Sequence, residues 1–309
     1  MESNENYKKF SEKFKDLMGE ESVYEFFLKV QNIMPKYTKK MKDPEFFSFI
    51  TFIVEHLRKF DELESISTLV DLSMKLYVKY HPENKIEDPM LFMNSYHKIY
   101  KMLPVKIDKS FLKYKFLELC ELNGISEDII HKENIYYEFA MDSKENRFLI
   151  EGYRFAMKSM NLEAINSVIH DILENDVIKM GEEEKKIFIP RTCLEILINK
   201  NIQMGIDFIT PYLDAKNDYE NNDPLLNMSY FMCLLLNDKD VSFDKFKEFI
   251  LLYKPIIEEK DAILKKYINK ISMEYFKQLI FMDVNNPFGG FNFLNMMKLV
   301  TSLAGAGGH

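Results

Sequence analysis

Apolar residues recur along this chain at helical spacing. Phe46, Ile50, Ile53, Leu57 and Phe60 step by four, three, four and three residues, which places them on one face of a helix. Leu69, Leu72 and Leu76, with Val70 and Tyr77 beside them, repeat the pattern, and Leu264, Tyr267, Ile271, Tyr275 and Leu279 do so again. Start signals agree with the periodicity. Asp43-Pro44, Asp88-Pro89 and Asp223-Pro224 each set a capping carboxylate before a proline at the first helical position. The carboxylate can accept orphan backbone N–H groups, and the proline has no intrahelical donor to lose there.

Read this way, the chain holds roughly 14 or 15 helices joined by short polar connectors. Alternating strand patterns are nearly absent, and Lys186 to Pro190 (KIFIP) is too short to build a sheet. Helices of similar length with short links predict an all-α chain, an α-solenoid of stacked antiparallel helix pairs. A compact irregular bundle satisfies the same periodicity. The chain has no tryptophan, so the tetratricopeptide consensus is not met and the repeats would be degenerate. The expected division is an N-terminal half over 1–140, a C-terminal half over 141–285 and an apolar, glycine-rich tail over 286–309.

Composition narrows the picture. Of 10 glycines, half follow Asn286, so the body has little to offer hairpins or phosphate-cradling loops. A net charge of -8 argues against nucleic-acid binding, which needs a basic footprint. Cys120, Cys193 and Cys233 are dispersed and odd in number, the pattern of buried thiols in a reducing compartment rather than of a disulfide framework. The opening MESNENYKKF is polar, so no signal peptide is expected. The apolar run Leu225–Leu236 falls short of the ~20 residues that span a bilayer. A cytosolic protein without direct membrane insertion is expected.

Candidates for chemistry are few. His170-Asp171 is the one His-Asp dipeptide, but a metal-dependent hydrolase needs further ligands, and the spacing of His131 and His97 suggests no convergence. Glu182-Glu183-Glu184 reads as an acidic first helical turn, where carboxylates favour the positive dipole end. No zinc-spaced pair, nucleophile elbow or Walker motif occurs. No catalytic residue, metal or cofactor is therefore expected. The cluster Lys36, Lys39, Lys40 and Lys42, with Tyr37 among them, suits a helix C-terminus and equally a positive patch that steers an acidic partner. Methionine and phenylalanine crowd at Met228, Phe231 and Met232, and again at Phe291, Phe293, Met296 and Met297. These are core residues or an adaptable groove. The segment FNFLNMMKLVTSLAGAGG needs cover, from its own domain or from a partner.

The C-terminal third carries a family resemblance. PLLNMSYFMCLLL, FKEFILLYKPII, YINKISMEYF and a Gly-Gly-Phe-x-x-Leu tail resemble the Golgi-to-ER-traffic protein four family, whose animal member is the thirty-five-kilodalton subunit of the transmembrane-domain recognition complex. The matching positions are Pro224–Asn227, Tyr253–Pro255, Tyr267–Phe276 and Gly289–Leu303. Val70-Asp71-Leu72-Ser73-Met74 resembles the family's Ala-Asp-Leu-Ser-Met, with Tyr24-Glu25 at the expected distance ahead. The resemblance implies a non-enzymatic adaptor that delivers tail-anchored membrane proteins. Its N-terminal helices would dock a targeting ATPase and its C-terminal helices a ubiquitin-like or BAG-type scaffold. On that basis Lys36, Tyr37, Lys39, Lys40 and Asp71 are expected at the ATPase face. Leu225, Leu226, Met228, Tyr230, Phe231, Phe288, Phe291 and Leu294 are expected at the scaffold face. The connector Asp214–Asp223 is short, where some fungal members carry a longer insertion that clamps the ubiquitin-like partner. A structural subunit of another large cytosolic assembly, such as a proteasome-lid-like or signalosome-like solenoid, is the alternative.

Overall fold

A computed structural model describes Glu12 and residues 22–59, 63–80, 89–103, 108–175, 180–213, 223–261 and 263–281. It is all-α and divides into two compact units, Met1–Ile172 and Leu173–His309. The division expected at 140/141 falls inside a helix of the first unit.

In the first unit, α1 (Val23–Thr38), α2 (Asp43–Arg58), α3 (Leu63–Tyr80), α4 (Pro89–Met102) and α5 (Ser110–Leu122) are followed by α6 (Glu127–Lys132), α7 (Ile135–Glu145), α8 (Leu149–Ser159) and α9 (Leu162–Leu173). Helices pack on their next neighbour and on the next but one: α1 on α3, α2 on both α3 and α4, α4 on α5, and α7 on α8. This is the stacking of helix pairs in an α-solenoid. The expected core faces of α2 and α3 are largely as the spacing implies. Phe46, Ile50, Ile53 and Leu57 are buried, as are Leu69, Val70, Leu76 and Tyr77, whereas Leu72 is only half-buried. Phe60 lies outside the described residues.

Aromatic rings tie the pairs together. Phe46 meets Tyr77 and Phe47, Phe47 meets Phe92, Phe92 meets Phe116, Phe116 meets Phe139 and Phe139 meets Phe155, with centroids 4.7 to 6.0 Å apart. The series runs through α2, α3, α4, α5, α7 and α8. Such pairs contribute about 0.5–1.5 kcal/mol each beyond the area they bury. The tight α7–α8 hairpin needs its glycine. A Cβ at Gly152 would stand 3.3 Å from the Ala140 carbonyl oxygen and 3.4 Å from the Lys144 nitrogen. Arg147, at φ 62°, turns the chain between the two helices.

The same helices enclose four charges. Lys109 reaches one oxygen of Asp142 at 2.6 Å and Lys113 the other at 2.9 Å. Lys113, fully buried, also meets Glu151 at 2.9 Å and Ser143 at 2.6 Å, and the Ser143 hydroxyl donates to Glu151 at 2.7 Å. The ammonium of Lys109 sits 4.7 Å from the Tyr100 ring centre. Burial, reinforced by the Asp142 charge, pushes the Tyr100 hydroxyl far above its usual pKa. Two cations and two carboxylates cancel, which is what allows burial at all.

In the second unit, α10 (Glu182–Ile198) packs on α11 (Ile202–Ile209), α12 (Pro224–Asn237) and α14 (Leu264–Phe276). A short 3₁₀ turn, Thr210–Tyr212, extends α11, and α13 (Phe243–Lys260) packs on α12 and α14. The KIFIP segment lies within α10, whose first turn carries Glu182, Glu183 and Glu184. The Asp223 carboxylate caps α12, accepting the Leu225 N–H at 2.8 Å. The start at Asp43 is shifted by one: Lys42 is the N-cap of α2 and its N–H donates to Glu45 at 3.1 Å. Asp88 lies outside the described residues. In α14 the buried stripe is Leu264, Ile268 and Ile271. The expected members Tyr267 and Tyr275 are half-buried, and Leu279 lies beyond the helix and is exposed. Arg191 binds the buried carboxylate of Asp261 at 2.6 Å, fixing the α13–α14 corner against α10.

Lys113→Met leaves Asp142 and Glu151 short of a buried partner and should destabilise the first unit by roughly 3–5 kcal/mol. Urea unfolding should also show Lys113→Met with Glu151→Leu recovering part of that loss. Glu138 gives a pH signature. Burial would raise its carboxyl pKa, but hydrogen bonds and charge from His97 (2.5 Å) and Lys101 (2.8 Å) hold it below the usual value. A depressed carboxylate contributes stability above its unfolded pKa and loses it as pH falls through the folded one. The unfolding midpoint should therefore drop on acidification below the ordinary carboxylate range, and Glu138→Gln should flatten that limb.

Candidate docking surfaces

The basic cluster is built by the end of α1. Lys36 lies in the last turn, Lys39 is the C-cap, and the Lys40 and Met41 N–H groups both bond back to the Tyr37 carbonyl, at 2.8 and 3.0 Å. Lys36, Lys39, Lys40 and Lys42 are all exposed, while Tyr37 is half-buried. Pro35 inside the helix and the buried Thr38, whose hydroxyl donates to the Met34 carbonyl at 2.9 Å, shape this final turn. Lys36, Lys39 and Lys40 lie at the negative end of the α1 dipole and are open to solvent, whereas Lys42 is the N-cap of α2.

Asp71 lies on α3, which packs on α1 through Ser73 and Met34, 3.2 Å apart. Its partly exposed carboxylate pairs with Lys75 at 2.6 Å. Of the Val70–Met74 motif, Val70, Ser73 and Met74 are buried, so Asp71 and the half-buried Leu72 supply what surface it has. Tyr24, at 69% exposure, is the most exposed aromatic side chain among the described residues. Glu25, beside it, gives its N–H to the Ser22 hydroxyl that caps α1.

On α12 the expected docking set splits. Leu225 and Met228 are buried in the core of the second unit and offer a partner nothing to touch; their apolar character serves packing against α10 and α11. Leu226, Tyr230 and Phe231 are half-buried, and Leu234 completes their side of the helix at 42% exposure. The Tyr230 and Phe231 rings are 5.7 Å apart. Phe288, Phe291 and Leu294 lie outside the described residues.

Neighbouring α13 adds apolar surface that the sequence reading passed over. Phe246, Ile250 and Ile257 are buried, leaving Leu251 and Leu252 off the core face, Leu252 at 73% exposure. The signal was present: a helix that turns Phe246 and Ile250 inward must turn Leu252 outward. The Phe249 and Tyr253 rings meet nearby in a tilted pair at 5.2 Å, and burial raises the Tyr253 hydroxyl pKa.

For chemistry the described residues offer little. No group of three or more His, Cys, Asp and Glu among them could hold a metal. Asp171 sits 3.6 Å from Lys144. The three cysteines are buried thiols. Cys193 and Cys233 face each other at 3.6 Å, and hydrogen bonding to Cys233 together with burial pushes the Cys193 pKa up. Burial alone lifts Cys120 to about 12. Among the described residues, no helix is long and apolar enough to cross a membrane.

Residues 144–297 match the family model of Golgi to ER traffic protein 4. Pro224–Asn227, Tyr253–Pro255 and Tyr267–Phe276 fall inside the match, and Tyr24-Glu25 and Val70–Met74 outside it. No curated protein matches the chain. A solved structure, the crystal structure of Get4 from C. therm., is similar at 11% identity, covers 89% of this chain and 95% of its own, and has a TM-score of 0.43.

Core on α12 and surface at the end of α1 separate by mutation. Leu225→Ala should cost about 2–5 kcal/mol of unfolding free energy. Lys36→Glu with Lys39→Glu and Lys40→Glu should cost less, roughly 0.3–1 kcal/mol per site, because each exchanges a cation for an anion at the negative end of α1. Denaturant unfolding followed by circular dichroism reads both.

Proposed function

Because the chain belongs to the Golgi to ER traffic protein 4 family, we propose that it is a non-enzymatic cytosolic adaptor bridging a targeting ATPase to a ubiquitin-like or BAG-type scaffold during delivery of tail-anchored proteins. Family membership supports a role in the tail-anchored protein pathway, and the match over 144–297 is the observation that carries the proposal.

In this reading the ATPase docks on the first unit through the exposed Lys36, Lys39 and Lys40, with Tyr37 and Asp71 beside them. The scaffold docks on the second unit through the half-buried Leu226, Tyr230 and Phe231, extended by Leu234 and Leu252. The two contacts differ in kind. Exposed lysines steer an acidic partner and act mainly on association rate, whereas apolar anchors act mainly on dissociation.

The difference gives the test. Lys36→Glu with Lys39→Glu and Lys40→Glu should lower ATPase affinity by about tenfold or more and leave scaffold binding unchanged. Tyr230→Ala with Phe231→Ala should do the reverse. ATPase docking by the parent chain should weaken as salt rises, since exposed charges are screened beyond ~8 Å at physiological ionic strength. Both variants holding both partners in calorimetric titrations would overturn the assignment.

A further inference from the structure

The second unit carries a groove beside the end of α14. Ile198, Met273 and Leu279 form its apolar wall, and Asn269, Lys270 and Glu274 its polar rim, around about 430 Å³. That is within the range of sites that take up ligands or side chains. Glu274 is held at the rim by Lys200, 3.2 Å away.

The chain itself is delivered to this groove. Lys277 ends α14 in the left-handed conformation, at φ 59°, and redirects the backbone. Asn269 then grips the redirected strand of chain: its Oδ1 accepts the Ile280 and Phe281 N–H groups at 3.2 and 2.9 Å, and its Nδ2 donates to the Phe281 carbonyl at 2.8 Å. Lys265 lies over the Phe281 ring at 5.6 Å. Since Asn269 also lines the groove, Phe281 is fixed at its edge. Leu279, the wall residue nearest this exit, is 51% exposed.

Beyond Phe281 the sequence reads MDVNNPFGG and then FNFLNMMKLV. After Asp283 it contains no acid, and Lys298 is its one permanently charged side chain. Phe291 lies ten positions after Phe281, a reach of up to ~35 Å at full extension, so the groove is well within range. We propose that this groove binds the apolar stretch Phe288–Val300 of the same chain, its phenylalanine and methionine side chains covering Ile198, Met273 and Leu279. A short tether raises the effective concentration of such a segment to about the millimolar range. A modest apolar contact then suffices, and a second copy at ordinary concentration competes poorly. This contact does not require that the chain bridge two partners.

The absence of tryptophan provides the test. Phe293→Trp in the full chain introduces the sole indole, placed in the stretch. Its emission should be blue-shifted and shielded from acrylamide. Adding Met273→Glu and Leu279→Glu should shift the emission to the red and raise quenching several-fold, with circular dichroism unchanged. Both substituted residues are outside the buried core, and Leu279→Glu alone, beyond the helix, should give the same change in smaller measure. Equal quenching in the presence and absence of the groove substitutions overturns the proposal. So does shielding that disappears when the protein is diluted, which would assign the groove to a second copy.

Discussion

A lysine with no exposure to solvent sets the architecture of the first unit. Lys113 is held by Asp142, Glu151 and Ser143, so α5, α7 and the start of α8 must meet at one point with their polar atoms in register. An isolated buried ammonium is too costly to persist, and removing one of its partners leaves the cost uncovered. The aromatic series from Phe46 to Phe155 is tolerant by comparison, because apolar contact is non-directional. The rings hold the pairs together, while the ionic cluster decides how they are aligned.

The two units solve the same problem with different means. In the second, Arg191 and Asp261 pin the α13–α14 corner, and Gly205 lets α11 approach α12 so closely that a Cβ there would stand 3.1 Å from the Cys233 sulfur. Amphipathic helices stacked in this way always leave one face outward. Where that face is lysine, as at Lys36 and Lys39, the surface attracts charge at a distance. Where it is Leu252 or Tyr230, the surface is apolar and acts only at short range.

Much of the fold was legible in the sequence. Spacing by threes and fours identified α2 and α3 and their core faces, and Asp223-Pro224 marked the start of α12. The boundary between units was not legible, because it falls at the end of α9, where no change of composition announces it. Nor was the ionic cluster: Lys109 and Lys113 look like ordinary solvated lysines until the fold brings Asp142 and Glu151 to them, 33 and 38 positions further along the chain. The docking faces rest on the family resemblance, which put Leu225 and Met228 on the scaffold side. Apolar composition cannot tell the inward side of a helix from the outward side; the partner helices α10 and α11 bury both residues.

The placement of the cysteines makes the protein its own opening gauge. Cys120 lies in the first unit, Cys193 and Cys233 in the second, and all three are sealed from solvent. A thiol reagent reaches them only when the surrounding helices separate, and the raised pKa values of Cys120 and Cys193 keep both protonated until then. The rate of modification at each site is therefore a clock for the unit that contains it, with no foreign probe and no change of sequence. The two units can be timed separately in a single sample.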